Sequence, residues 1–216
     1  MNQRLYDPRR AWTLALAWFA FCWLLAAVSG GLAAVFTRPL ATPAQLADPL
    51  WWGAWGLAIS IILVAYGLIW PRGTFTDGRA RRPVWQLGFG LAWGSSQGLL
   101  FLSLWHGLAS AGLAPLAVYG FSYLAIGAFN GVWHRFFWDI HVSPPHNYSE
   151  WNLRKVSLCH TPNLLVSLAA LVAYGNAALF LLCQTLALLL SAWAMRFPAP
   201  GDDYRAVAGA ERSLSS

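Results

Sequence analysis

Charged residues are scarce in this chain. Asp, Glu, Lys and Arg make up only 10% of its 216 residues, against about 25% in ordinary soluble domains. Four long stretches contain no charged residue at all: 11–37, 49–71, 83–134 and 156–195. A helix needs about 20 apolar residues to cross the hydrocarbon core of a bilayer. The scarcity of charge therefore excludes an ordinary soluble domain and favours a protein that crosses a membrane several times.

Other common sequence signals are also missing. The three cysteines, Cys22, Cys159 and Cys183, form no CxxC pair, so the sequence implies neither a disulfide framework nor a zinc finger. The alternating pattern of a transmembrane barrel is absent from the sequence, so we expect the spans to be helices. The net charge of +6 comes from basic residues that flank the spans, which points to the lipid bilayer as partner and not to nucleic acid.

The apolar stretches predict an all-α, polytopic integral membrane bundle of five or six transmembrane helices in a single domain, 1–196. The predicted spans are 11–36, 51–70, 84–108, 114–138 and 162–196. A single helix over the last range would be about 50 Å long, too long for one span and short for two. A turn at Tyr174-Gly175-Asn176 would divide it into a hairpin. The remaining tail, 197–216, is expected to be poorly ordered.

Basic residues are distributed unequally between the two sides of this predicted bundle. With the N-terminus in the cytoplasm, only Arg38 lies on the opposite side, while a set of ten basic residues before the last stretch faces the cytoplasm. The set consists of Arg4, Arg9, Arg10, Arg72, Arg79, Arg81, Arg82, Arg135, Arg154 and Lys155. Because cytoplasmic loops are enriched in Lys and Arg, we predict a cytoplasmic N-terminus, and we expect the inner membrane of a bacterium.

The third and fourth predicted spans are rich in glycine and small polar residues. Each contains a GxxxG element, Gly94 to Gly98 in the third span and Gly127 to Gly131 in the fourth. Small residues at this spacing allow two helices to approach closely, and polar side chains can hydrogen-bond across the contact. The pattern predicts that these two helices pack against each other through glycine. The alternative is a polar cavity between them.

Titratable side chains are most concentrated at the end of the fourth predicted span and in the connection that follows it. This region contains four of the five histidines and an aspartate. Histidine titrates near neutral pH and is suited to proton transfer. This cluster predicts a membrane-embedded enzyme that works at the cytoplasmic face. The expected catalytic acids and bases are His134, Asp139, His141 and His160. The same cluster could hold one metal ion through His134, His141 and His160, although the sequence does not identify any cofactor.

The substrate of such an enzyme would be a hydrophobic small molecule, such as a lipid, an isoprenoid or a polyene, that enters between the helices. Arginine is suited to an anionic headgroup or a diphosphate, and aromatic rings can stabilise a carbocation. Isomerisation and cyclisation are the reactions that we expect. The predicted substrate-binding residues are Gln97, Asn130, Arg135, Trp138, His146 and Arg154.

Two other functions compete with this interpretation. His134 and His160 could ligate haem or a related macrocycle in a non-enzymatic cofactor-binding or assembly subunit of a membrane complex. A transporter or channel is disfavoured, because no acidic or basic residue lies in the middle of a span.

The connection itself is expected to contain a short helix on the cytoplasmic surface of the membrane. Asn147 followed by Glu150 resembles a capping box, which predicts a helix from there to about His160. Thr161 would then cap the next span, with Pro162 in its first turn.

Overall fold

The computed structural model of the protein describes residues 6–76, 78–144 and 152–202. All regular secondary structure within these ranges is helical, and six helices are long and apolar enough to cross a membrane. They are α1 (Pro8–Ser29), α4 (Pro49–Arg72), α5 (Pro83–Ser110), α6 (Pro115–His141), α7 (Leu153–Tyr174) and α8 (Ala177–Met195). Two short helices, α2 (Gly31–Thr37) and α3 (Pro43–Leu46), connect α1 to α4. The predicted helical membrane bundle is confirmed, with six helices.

The two ends of the bundle are defined by contacts between helix termini. At one end, the Tyr6 hydroxyl beside the start of α1 donates to the carbonyl of Val142 after α6, at 2.9 Å. The Trp12 indole donates at the same end to the carbonyl of Pro198, after α8, at 2.8 Å. We call this the N-terminal end. At the opposite end, Gly30 after α1 packs against the imidazole of His106 in α5.

The last apolar stretch is a hairpin, as the turn residues predict. Gly175 has a φ of +70° and ends α7, a left-handed conformation that glycine adopts at little cost. The buried side chain of Asn176 then accepts a hydrogen bond from the Trp51 indole at 2.9 Å. It also donates to the carbonyl of Leu40 at 3.0 Å. These bonds attach the turn to the start of α4 and to the α2–α3 connection.

The break predicted at Thr161 is absent. The Asn152 side chain caps α7 by accepting a hydrogen bond from the Lys155 amide at 2.9 Å. The helix then continues through Thr161, whose φ of −60° and ψ of −54° are helical. Pro162 lacks the amide that an α-helix would use at this point, and a wider π-helical turn directly precedes it. Asn147 and Glu150 lie outside the described residues.

Glycine packs α5 against α8 and not against α6. A Cβ at Gly94 would lie 2.5 Å from the Cα of Thr185, and a Cβ at Gly90 would lie 2.7 Å from the Cα of Leu189. A Cβ at Gly127 of α6, in contrast, would meet no atom of another helix within 4 Å in the described part of the chain. The prediction of a glycine-packed pair of α5 and α6 is therefore wrong. A GxxxG element permits close approach but does not specify which helix approaches.

The beginning of the predicted tail is packed onto the bundle. Phe197 is buried, and its ring stacks on Phe89 of α5 with 3.6 Å between ring centroids. The carboxylate of Asp202 lies 3.4 Å from the guanidinium of Arg82, at the start of α5. Burial of an aromatic ring explains why this part of a Pro- and Gly-containing segment is ordered. Residues 203–216 lie outside the described part of the chain.

Candidate functional site

Three of the membrane helices each contain one π-helical turn. The turns are Ala65–Ile69 in α4, His134–Trp138 in α6 and Val156–His160 in α7. Those of α4 and α7 are in direct contact, because the buried Cys159 thiol donates to the carbonyl of Ala65 at 3.2 Å. Single π-helical turns within α-helices are rare and occur frequently at functional sites. Their presence in three neighbouring helices therefore identifies this region as the candidate site.

Each of the three turns contributes a polar ring to one continuous row of side chains. His160 Nδ1 lies 3.2 Å from the hydroxyl oxygen of Tyr66. The ring centroids of His160 and His134 are 6.4 Å apart. His134 Nδ1 in turn lies 3.2 Å from Oδ1 of Asp139. We call Asp139, His134, His160 and Tyr66 the acid–base row.

The π-helical turn in α6 explains how Asp139 reaches His134. On a regular α-helix, residues three and four positions apart lie on the same face, so Asp139 would face Arg135. A π-helical turn instead bonds residue i to residue i+5. It therefore aligns Asp139 with His134, five positions earlier. This pairing was not expected from the sequence, because the sequence shows no sign of the wider turn.

Two members of the row, Tyr66 and His134, are buried, and aromatic rings and a cation lie nearby. Tyr66 is 1% exposed and His134 is 4% exposed. Trp70 stacks on Tyr66 with 5.5 Å between ring centroids, and its ring meets that of His160 edge-on at 5.3 Å. The ammonium of Lys155 lies 4.1 Å from the centroid of Trp70. Lys155 therefore places a positive charge against the ring that contacts both Tyr66 and His160.

The inner end of the acid–base row lies on the wall of a cavity of about 390 Å³. Tyr66 and His160 line this cavity, which lies between α4, α5, α6, α7 and α8. On its α6 side the lining residues include Leu124, which is 67% exposed, and Gly127, which has open space around it. The cavity is therefore accessible from the lipid-facing surface along α6. We call it the membrane cavity.

Four side-chain amides also line the membrane cavity: Gln97, Asn130, Asn163 and Gln184. The Gln97 amide donates to Asn130 Oδ1 at 3.3 Å, across the α5–α6 contact. The Asn163 amide donates to Gln184 Oε1 at 3.3 Å, across the α7–α8 contact. Asn163 Oδ1 is buried and accepts no hydrogen bond within the described ranges. An unsatisfied buried acceptor is costly, and a hydrogen-bond donor on a ligand would satisfy it.

Several residues predicted to be functional lie elsewhere. Arg135 and Arg154 are exposed at the N-terminal end, and neither lines the membrane cavity. Trp138 is fully buried and stacks on Trp93 with 4.9 Å between ring centroids, so it belongs to the packed core. His146 lies outside the described residues. Gln97 and Asn130 do line the membrane cavity, and their role as substrate contacts stays a prediction.

The structure does not bring His141 together with His134 and His160. His141 is seven positions after His134, a spacing that shares a face only on a regular helix, and the π-helical turn lies between them. Its ring instead lies 5.6 Å from that of Phe137. Among the residues that the structure describes, no group of three or more His, Cys, Asp or Glu side chains could hold a metal ion.

Sequence reasoning missed Tyr66, Asn163, Gln184 and Lys155. Asn163 and Gln184 carried a usable signal, because each is an amide within the charge-free stretch 156–195, and buried amides in a membrane need a partner. Tyr66 carried none, since a tyrosine near the end of a span is usually an interfacial residue.

The chain gave no significant match in comparisons with protein-family models, curated proteins and solved structures. Any assignment of function therefore rests on the chemistry of the acid–base row and the membrane cavity. The row contains two imidazoles, a carboxylate and a phenol, and two of these groups line a cavity of about 390 Å³.

Proposed function

We propose that the protein is a membrane-embedded enzyme that transfers protons to and from a lipid-soluble substrate in the membrane cavity. The observation that carries this proposal is the acid–base row, which ends on the cavity wall. His160 lies about 10 Å along α7 from its first residue, Leu153. Titratable groups within a membrane are costly and are usually functional, so a row of four that reaches the cavity wall through Tyr66 and His160 favours a catalytic role.

The residues of the row have different roles in this proposal. His160 is the general acid and base, because it lines the membrane cavity and its Nδ1 contacts Tyr66. Tyr66 holds the His160 ring in place through its contact with Nδ1. His134 exchanges protons with His160 and does not itself line the membrane cavity. The Asp139 carboxylate positions the His134 ring and stabilises its protonated form, as a carboxylate does in hydrolase triads.

Isomerisation or cyclisation of an unsaturated chain fits these groups. In either reaction, one carbon gains a proton and another carbon loses one, so no oxidant or reductant is required. The apolar walls of the membrane cavity suit an isoprenoid or polyene chain, and its volume of about 390 Å³ lies within the usual range for ligand pockets. The unsatisfied acceptor Asn163 Oδ1 suits a substrate that bears a hydroxyl or amide donor.

The orientation and location of the protein are part of the same proposal. The N-terminal end is taken to face the cytoplasm, because Arg9, Arg10, Arg135 and Arg154 are exposed there. Protons would then enter the row at Asp139 from the cytoplasmic side. The inner membrane of a bacterium is the proposed location.

The proposed enzyme activity is tested by comparing lipid extracts of cells with and without the protein. Cells that produce the wild-type protein are expected to accumulate at least one lipid-soluble compound that is absent without the protein. His160→Gln should reduce its rate of formation by a factor of about 10²–10⁴, the usual contribution of general acid–base catalysis. Mass spectrometry of total lipid extracts measures both changes.

The matched control for this test is His106→Gln. His106 lies at the opposite end of the bundle, against Gly30, and it does not line the membrane cavity. The control should produce the compound at the wild-type level. Equal amounts of every lipid-soluble compound with wild-type protein, with His160→Gln and without protein would contradict the proposal.

A cofactor-binding subunit is the second candidate function, because two histidine rings on neighbouring helices lie 6.4 Å apart. Histidine is a common axial ligand of haem. If His134 and His160 bind such a macrocycle, the purified wild-type protein has a Soret absorption band that His160→Gln lacks. That result would replace the enzyme proposal.

A further inference from the structure

A second cavity lies at the N-terminal end of the bundle, between α4 and α8. Its volume is about 400 Å³, and its polar lining includes Thr74, Thr76, Arg81 and Arg196. Tyr66 is the residue that it shares with the membrane cavity. We call it the arginine cavity. The two exposed arginines for which the sequence predicts contact with an anionic group, Arg135 and Arg154, do not line it.

The backbone of Arg196 holds its side chain at this cavity. Its φ of 48° and ψ of 53° are left-handed, and no other non-glycine residue in the described ranges has a positive φ. Arg196 ends α8 in this conformation, which is unfavourable for a residue with a Cβ. Arg196 Nη1 donates to the carbonyl of Arg79 at 2.7 Å, so the guanidinium is fixed in place while most of its five N–H donors remain available.

Arg81 is held at the same cavity by a tryptophan. Its guanidinium lies 4.6 Å from the ring centroid of Trp193, and Nη1 lies 3.4 Å from the Trp193 carbonyl. Within the described part of the chain, neither Arg81 nor Arg196 forms an ion pair with a carboxylate. Asp202 pairs with Arg82 instead, at 3.4 Å. The arginine cavity therefore carries positive charge that the described residues do not neutralise.

We propose that the arginine cavity binds a phosphate group. Two guanidinium groups can each donate paired hydrogen bonds to phosphate oxygens, and Thr76 lines the same space. The Thr74 hydroxyl already donates to the carbonyl of Trp70 at 2.8 Å. The phosphate would belong either to the headgroup of an anionic membrane lipid or to a soluble phosphate compound. The apolar side chains of Leu190 and Ala194 complete the lining. The proposal does not rest on the enzyme activity, although Tyr66 lines both cavities.

Thermal unfolding of the full-length protein in a neutral detergent tests the site. Three probes are titrated separately: short-chain phosphatidic acid, short-chain phosphatidylcholine and inorganic phosphate. Phosphatidic acid should raise the melting temperature of the wild-type protein, because a ligand that binds only the folded state stabilises it. Phosphatidylcholine should not, because its phosphate is already neutralised by a choline cation. If inorganic phosphate at the same concentration stabilises the protein equally, the phosphate group belongs to a soluble compound. If only phosphatidic acid stabilises the protein, the phosphate group belongs to a lipid.

Two variants remove the guanidinium groups, and a third is the control. Arg81→Gln and Arg196→Gly should each weaken the binding of phosphatidic acid about tenfold or more. Each variant removes hydrogen bonds from a charged donor, which are stronger than those between neutral groups. Glycine at 196 also relieves the left-handed backbone, so this variant should remain folded. Arg10→Gln removes an exposed arginine at the same end and should bind like the wild type. Equal weakening by Arg10→Gln, equal stabilisation by phosphatidylcholine, or no stabilisation by any probe would overturn the proposal.

Discussion

Replacing Gly94 by alanine is expected to lower the free energy of unfolding by about 3 kcal/mol, the upper end of the range for overpacked cores. The added Cβ would lie 2.5 Å from the Cα of Thr185 and 2.9 Å from its carbonyl oxygen. Both atoms belong to the backbone of α8, so the clash is relieved only if α8 moves away from α5. Unfolding in mixed detergent micelles, with increasing denaturing detergent, measures the change.

Gly127→Ala is the matched control for this prediction. It introduces the same methyl group into the GxxxG element of α6, where, among the described residues, nothing beyond the helix's own backbone lies within 4 Å of the new Cβ. Because alanine favours the helix over glycine, the control should be neutral or stabilising by about 0.5–1 kcal/mol. If Gly127→Ala destabilised the protein as much as Gly94→Ala, then α6 rather than α8 would be the glycine-packed partner of α5.

Replacing Gly127 by tryptophan is expected to abolish substrate conversion while the protein stays folded. Gly127 lines the membrane cavity and has open space around it, so an indole there would occupy the space proposed for the substrate. Even a displacement of about 1 Å from reactive geometry can lower a rate about 10²-fold, and exclusion of the substrate should cost at least as much. The lipid extracts described above measure conversion, and thermal unfolding measures stability.

Gly120→Trp separates blockage of the cavity from the mere addition of a large side chain to α6. Gly120 lies seven positions earlier on the same helix, also has no neighbour within 4 Å of an added Cβ, and does not line the membrane cavity. This variant should convert substrate at the wild-type rate. Wild-type conversion by Gly127→Trp would show that the reaction takes place somewhere other than the membrane cavity.

The spans were predictable because membranes impose a simple requirement. A helix must be apolar over about 20 residues to cross lipid, and the charge-free stretches of this chain satisfy that requirement directly. The hairpin between α7 and α8 was also predictable, since Gly175 and Asn176 interrupt a stretch that is too long for one span. In both cases the signal lies in consecutive residues, so no knowledge of the packing is needed.

The site was only partly predictable, because it depends on contacts between helices. The histidine-rich connection drew attention to His134, Asp139 and His160, which the structure does bring together. The π-helical turns that orient these residues depend on tertiary packing and leave no local pattern. Tyr66 comes from α4, three elements before α7 in the chain. A single sequence does not show which helices, far apart in the chain, pack against each other.

Deuterium incorporation from D₂O tests the central claim most directly. Purified protein in lipid discs would be incubated in D₂O with a lipid extract from cells that produce it, and the lipids analysed by mass spectrometry. If His160 transfers protons to a lipid-soluble substrate, one compound gains deuterium with the wild-type protein, and His160→Gln slows this gain about 10²-fold or more. The account is contradicted if no compound gains deuterium above a protein-free sample, or if the variant labels the same compound at the wild-type rate.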